Sequence, residues 1–215
     1  TIAVHEPVHP TPPAPGMNPL GMQNLRRMPN TYWAILGFAS LLTLARFSEA
    51  FLVLRANSLG FAMGQVPLVM AVMSLAYALS AYPAGLMADR LPRSALMGAG
   101  LLVLIAADLT LAGATGARIL MGGVVLWGLH MGLTQGLLSA LVADAAPAEL
   151  RGTAFGLFHL TTGLATLLAS VLAGGLWSAF GAPATFLVSA LLTAMALPGL
   201  LRFGRLDGGM RPAGR

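Results

Sequence analysis

Arg46 and Glu49 stand three residues apart inside an apolar stretch that begins near Tyr32, and chemistry is first expected there. On a helix that spacing puts the two side chains on one face, where they neutralise each other or share a ligand. A charge held at the middle of a hydrocarbon layer costs at least about 2.5 kcal/mol, so such residues face a partner or a water-filled cavity. Two readings follow: a self-compensated pair that locks this segment to a neighbour, or an ion or substrate site. In the second, Glu49 is the proton carrier, because a carboxylate removed from water holds its proton more readily. A second constellation is Gly123, Trp127, His130 and Thr134, which fall within a sector of about 60° at helical periodicity. That polar and aromatic stripe faces something other than lipid. His130 suits either a proton relay in a cavity or a hydrogen bond to a neighbouring helix. Gln135 and His159 are weaker candidates of the same kind, and Asp108 is expected to pair with Arg118 near one membrane surface.

The segments that position these residues follow from composition. Hydrophobic residues make up 57% of the 215-residue chain and charged residues 9%, against about 25% charged in a soluble domain whose surface must face water. The apolar residues fall into six blocks of roughly the 20 residues that a helix needs to cross a bilayer. Helices are expected at about 32–55, 66–88, 94–112, 119–143, 153–177 and 184–201, giving an all-α integral membrane protein. Turn residues separate them: Ser58-Leu59-Gly60, Asp89 to Arg93 with Pro92, Gly113 to Gly116, Asp144 to Gly152 with Pro147, and Gly181-Ala182-Pro183. Residues 1–30 read as a Pro-rich solvated linker, 31–203 as the transmembrane domain and 204–215 as a tail. The linker has neither a start methionine nor an apolar signal core, and so reads as the continuation of something longer.

All twelve cationic residues are arginine. Alternating the six segments puts Arg26, Arg27, Arg90, Arg93, Arg151, Arg202, Arg205, Arg211 and Arg215 on one side, with Arg55 and Arg118 on the other. Positive loops stay in the cytoplasm, so both ends of the chain are expected there. The pI near 11 is thereby explained by orientation in a membrane, and no nucleic-acid partner is expected. The chain has no cysteine, which excludes disulfides and thiolate metal sites. His5 and His9 have no partners at metal-ligand spacing, no ATP-binding loop is present, and no metal or cofactor is expected. Two rows of small residues, Gly128-Gly132-Gly136-Ala140 and Ala76-Ser80-Ala84-Ala88, allow close backbone approach, either as ordinary bundle packing or as a surface that slides.

The loop after the second segment reads Gly85-Leu86-Met87-Ala88-Asp89-Arg90-Leu91-Pro92-Arg93. It resembles the signature of the major facilitator superfamily (MFS), in which Gly, Leu, Ala or Ser, Asp, a basic residue, Gly and a further basic residue recur between the second and third helices of each six-helix half. Met87 stands for the usual Leu and Pro92 for the Gly, as in degenerate carboxy-terminal copies. The loop from Asp144 through Pro147, Glu149, Arg151 and Gly152 to Thr153 is similar to the family's connection between its tenth and eleventh helices. The segment Ala45-Arg46-Phe47-Ser48-Glu49-Ala50-Phe51 with Leu54-Arg55-Ala56 is similar to a sparsely characterised group of prokaryotic permeases in that superfamily.

The resemblance implies that these are helices seven to twelve, a half bundle of two inverted three-helix repeats. An amino-terminal six-helix half is then the missing partner, and residues 1–30 become the cytoplasmic linker between halves. Helices seven and ten of the family line a central cavity, which makes Arg46, Glu49, Trp127, His130 and Thr134 the cavity and coupling candidates. It makes Gly85, Asp89, Arg90 and Arg93 the signature loop, with Glu149 and Arg151 as charge partners that exchange as the halves rock, or as static loop pairs. The implied activity is secondary transport of a small-molecule substrate by alternating access, coupled to a gradient of protons or another ion, in the lipid of a prokaryotic plasma membrane. Two rivals are a fragment that is nonfunctional or serves as a scaffold, and a six-helix intramembrane enzyme. The enzyme has little support, because no Ser sits in a Gly-rich nucleophile setting and Glu49 and Asp108 stand on different segments.

Overall fold

The computed structural model describes residues 25–210, with side chains through Leu200. The described residues are helical and contain no strand. The first span is built of two helices, α1 (Asn30–Ala45) and α2 (Ala50–Ser58). The second, third and fourth spans are α3 (Val66–Ala88), α4 (Arg93–Ala112) and α5 (Ala117–Ala145). One further helical stretch, Arg151–Met210, is broken at Gly181, and its arms are labelled α6 (residues 151–180) and α7 (residues 182–210). Its backbone continues past the expected end at Leu201, while 1–24 of the expected linker and 211–215 of the expected tail lie outside the described residues.

The last stretch is two crossings. Its 53 residues from Ala148 to Leu200 would make a rod of about 80 Å at 1.5 Å per residue, far more than a bilayer. Contacts fix the reversal. The Tyr32 hydroxyl donates to the Ala154 carbonyl at 2.9 Å, and the Phe51 and Trp177 rings lie 5.8 Å apart, so α6 runs parallel to the first span. Ser189 meets Ala45, and Gly199 faces Phe38, so α7 runs back along α1. The turn is made at Gly181, whose φ of 83° and ψ of 177° belong to a region that only glycine enters without strain. Pro183 then restarts the helix, its missing N–H costing nothing in a first turn.

Small residues set the spacing of the bundle. Gly128 lies against the Met73 carbonyl and Ala76, and Gly132 against Ser80, so the two small-residue rows read from the sequence meet each other in the α3–α5 packing. Gly136 lies outside that seam, with open space where a Cβ would stand. Arg55 clamps the end of the first span to the end of the third: its guanidinium donates to the carbonyls of Leu111 (3.0 Å), Ala112 (3.2 Å) and Ala114 (2.7 Å). These carbonyls sit where α4 ends and lack helical donors, so a fixed cation with several N–H groups satisfies them at once.

Two apolar cores fill the interior. One gathers Tyr32, Ile35, Met97, Leu101, Leu141 and Phe158 toward the end where α3 meets α4. The other gathers Phe47, Phe51, Leu104, Leu111, Trp127 and Phe186 toward the opposite end. Outside, Leu68, Leu75 and Leu79 of α3 and Leu164, Leu168 and Leu172 of α6 are exposed. Such broad apolar flanks suit acyl chains and not water.

Gly181→Ala is expected to destabilise the protein by about 1–3 kcal/mol, because alanine is strained at that φ and ψ. Gly175→Ala, in helical backbone with open space around its Cβ position, is expected to be neutral or mildly stabilising. Thermal unfolding of the two variants in detergent checks this, and equal midpoints would show that the Gly181 turn stores no conformational demand.

Candidate functional site

The first span departs from the expected continuous helix. Helical bonding ends with the Arg46 amide on the Leu42 carbonyl and resumes when the Phe51 and Leu52 amides bond to the Ser48 and Glu49 carbonyls, all at 3.0 Å. Arg46 itself is extended, with φ −91° and ψ 107°. This break turns Phe47 into the apolar core, where it is 2% exposed, while Arg46 lines a polar cleft. Arg46 and Glu49 are therefore not stacked on one helical face. Glu49 is half-buried at the start of α2 and lies outside the cleft lining, within electrostatic range of Arg46.

The cleft occupies about 370 Å³ between α1, α5 and α6. Its depth in the bundle is set by the two cores. On α1 the first core ends at Leu42 and the second begins at Phe47; on α5 they are separated by residues 132–136; on α6 they are separated by residues 159–168. Thr43, Arg46, His130, Thr134, Gln135 and Thr162 all fall in or beside that belt and line the cleft. The Arg46 guanidinium makes no hydrogen bond or ion pair among the described residues.

His130 is fully buried at the cleft wall, and its Nδ1 lies 2.9 Å from the Gly100 carbonyl of α4. A carbonyl only accepts, so Nδ1 carries the hydrogen and the neutral ring keeps its lone pair on Nε2. Nε2 is buried without a partner. Gly100 makes this approach possible, since a Cβ there would collide with the Thr134 side chain. The Thr134 hydroxyl donates to the His130 carbonyl at 2.9 Å, one turn back on the same helix. Thus α5 presents His130 and Thr134 at the junction of α4 and the cleft.

Of the residues singled out from the sequence, Arg46, His130 and Thr134 come together, as do Gln135 and His159. Trp127 does not join them: it is 1% exposed within the second core, with Nε1 unpartnered. Gly85, Asp89 and Arg93 line a separate depression between α3 and α5. Arg93 pairs with Asp144 at 2.5 Å across the loop end of the bundle, an exposed pair worth at most about 1 kcal/mol. Arg90, Glu149 and Arg151 are exposed there. Asp108 does not meet Arg118, which is exposed; the acid is on the inward face of α4 with Leu104, Ala107 and Leu111, and its hydroxyl partner is Ser189. Sequence reasoning missed Gly100, whose only signal was its small size, and Thr162 with Thr166, whose four-residue spacing after His159 marks one polar face of α6.

The sequence pattern of the Major Facilitator Superfamily matches residues 29–213. An uncharacterized MFS-type transporter of Methanocaldococcus jannaschii is 27% identical over 191 residues, covering 86% of this chain and 48% of the relative. An uncharacterized MFS-type transporter of Bacillus subtilis is 33% identical over 113 residues, 52% of this chain and 27% of the relative. The chain thus spans about half the length of the first of these curated relatives and less of the second.

Nitrogen NMR of selectively labelled histidine is expected to find neutral His130 as the tautomer with hydrogen on Nδ1. The signal is assigned by its loss in His130→Gln. Observation of the Nε2–H tautomer at that site would mean that the ring does not hold the Gly100 carbonyl.

Proposed function

The chain belongs to the major facilitator superfamily, and on that premise we propose that it is one six-span half of a secondary transporter, carrying a small polar solute across a prokaryotic plasma membrane. The observation that carries this reading is the Arg46 guanidinium, which makes no hydrogen bond or ion pair among the described residues, in a polar cleft midway between two apolar cores. A cation at that depth is costly unless a ligand or water offsets it. The solute class that fits has an anionic group, such as a carboxylate or phosphate, which the planar donor fork of arginine binds well. Thr134, Gln135 and Thr162 add neutral donors and acceptors around it, and these orient a solute without adding charge.

Alternating access supplies the mechanism. The cleft opens on one flank of the bundle, and a second six-span half would form the facing wall and rock about the bound solute. Close-packed seams such as that of Gly128 and Gly132 of α5 against α3 let the half move as a rigid body. In this reading the end that holds Arg90, Arg93 and Arg151 is cytoplasmic, because positive loops are retained there. Proton coupling belongs to the same proposal, with Glu49 as carrier beside Arg46 at the break of the first span.

Full-length protein reconstituted in vesicles tests the reading by exchange of radiolabelled small carboxylates and phosphates. Exchange of at least one such solute is expected, with Arg46→Gln lowering it by about tenfold or more, the range for loss of a charge-assisted contact. Folded protein that exchanges none of them would sink the solute assignment, and unchanged exchange in Arg46→Gln would remove Arg46 from the site. Glu49→Gln is expected to abolish dependence on the pH gradient, and a variant that keeps it would take the coupling role from Glu49.

A further inference from the structure

Asp108 is a buried acid that the cleft does not use. It is 0% exposed on α4, and its Oδ2 lies 2.6 Å from the Ser189 hydroxyl of α7. That same hydroxyl lies 3.0 Å from the carbonyl oxygen of Ala45, the last residue of α1. Oδ1 has no hydrogen-bond partner, and no ion pair reaches either oxygen among the described residues. The break after Ala45 explains the carbonyl, because the Glu49 amide that would bond to it in a continuous helix begins a new helix instead.

The ionisable groups on the surrounding elements leave Asp108 without compensation. From the first span come Tyr32, Arg46, Glu49 and Arg55; Tyr32 is bonded to the Ala154 carbonyl, Arg46 lines the cleft and Arg55 is held on the carbonyls of Leu111, Ala112 and Ala114. From α5 come His130, bonded to Gly100, with Arg118 exposed near its start and Asp144 paired with Arg93 near its end. From α6 come Arg151 at the loop end and His159 in the cleft, and from α3 only Tyr77 and Tyr82. Residues 182–200 of α7 carry no ionisable side chain.

Counting hydrogens then decides the state of the site. A serine hydroxyl has one hydrogen, whereas a carbonyl and an ionised carboxylate only accept. With Asp108 ionised, either the anion or the Ala45 carbonyl is left without a donor in a dry interior, where each such deficit is costly. With a proton on Oδ2, the carboxyl donates to Ser189 and Ser189 donates to Ala45. The chain of donors closes and no charge is buried.

We propose that Asp108 is a proton-binding site distinct from the cleft, and that its occupancy is read through Ser189 at the break in the first span. On release the proton passes to water entering from the cleft. The Ser189 hydroxyl turns to the new carboxylate, and the Ala45 carbonyl loses its donor. The segment from Arg46 to Glu49 is thereby loosened, which ties the protonation of a third-span acid to the helix that carries the cleft cation. Only the purpose of this switch, coupling to solute movement, rests on the transport reading; the binding of the proton does not.

The experiment needs no solute. Full-length protein in lipid vesicles is titrated by infrared difference spectroscopy, following the carbonyl stretch of protonated carboxyl groups in wild type, Asp108→Asn and Ser189→Ala. A spin label at Ser48→Cys, in a background without other cysteines, reports motion of the break over the same pH range. The expected result is a protonated-carboxyl band that disappears as pH rises, is lost in Asp108→Asn and shifts in frequency in Ser189→Ala. Label mobility rises with that transition and is independent of pH in Asp108→Asn. A band unchanged in Asp108→Asn, no titrating band in wild type, or a label response that survives the substitution would overturn the proposal. Should Asp108→Asn fail to fold, Ser189→Ala decides alone, since an unshifted band there separates Asp108 from Ser189. None of these failures touches the solute-exchange result, which is read from a different variant and a different assay.

Discussion

In a bilayer every main-chain carbonyl must find its donor within the protein, and among the described residues the break in the first span is where that demand draws on side chains of other spans and organises the interior. The first span stops being a helix at Arg46 and restarts at Ala50, stranding the carbonyl of Ala45. A hydroxyl from the last span takes that carbonyl, and a carboxyl from the third span completes the set. Three spans distant in sequence are thus held together by one disruption of helical bonding. The same logic appears at the far end of the first span, where Arg55 in the last turn of α2 covers three carbonyls at the end of α4.

The break also separates chemistry from packing. Had α1 continued, Arg46 and Phe47 would be only 100° apart on one cylinder, and neither would fully reach its own environment. Extended backbone at Arg46 sends Phe47 into an apolar core and leaves the guanidinium in the cleft. The belt that holds the cleft lies between two cores, each a continuous set of Leu, Ala and aromatic side chains. Those cores are apolar, and the belt between them is where the polar side chains of the cleft gather. This arrangement suits a family whose members hold solutes near the membrane midplane, and it is the physical ground for reading the cleft as a solute site.

Close approach of helices is the second constraint. Gly100 lets His130 reach a carbonyl on the neighbouring helix, and Gly128 and Gly132 let α3 and α5 touch backbone to side chain. In lipid, where burial of apolar surface gives helices little reason to associate, such contact supplies dispersion and geometric specificity. The apolar flanks remain available to acyl chains, and the ion pair Arg93–Asp144 sits at the loop end where water screens it.

Much of this was legible in the chain before any coordinates. Composition and block length fix membrane-spanning helices, because hydrocarbon tolerates little else and sets how long each must be. The signature around Gly85, Asp89 and Arg90 points to the family, and the rows Gly128-Gly132 and Ala76-Ser80 mark faces of close backbone approach, while only the structure shows that the two rows meet each other. His130 and Thr134 were legible as one face of one helix. The break in the first span was not, because Ala45 to Ala50 contains neither proline nor glycine and its local pattern is that of a helix. What opens it is tertiary: Phe47 gains a core, Arg46 gains a cleft, and Ser189, 144 residues away, supplies the donor that Ala45 loses. Asp108 shows the same limit, since near Arg118 in sequence it reads as half of a surface pair, while the inward turn of α4 gives it Ser189 instead. Local pattern determines which segments are helices and which face is polar; only packing decides where a helix can give way, because the groups that make the break tolerable come from other spans.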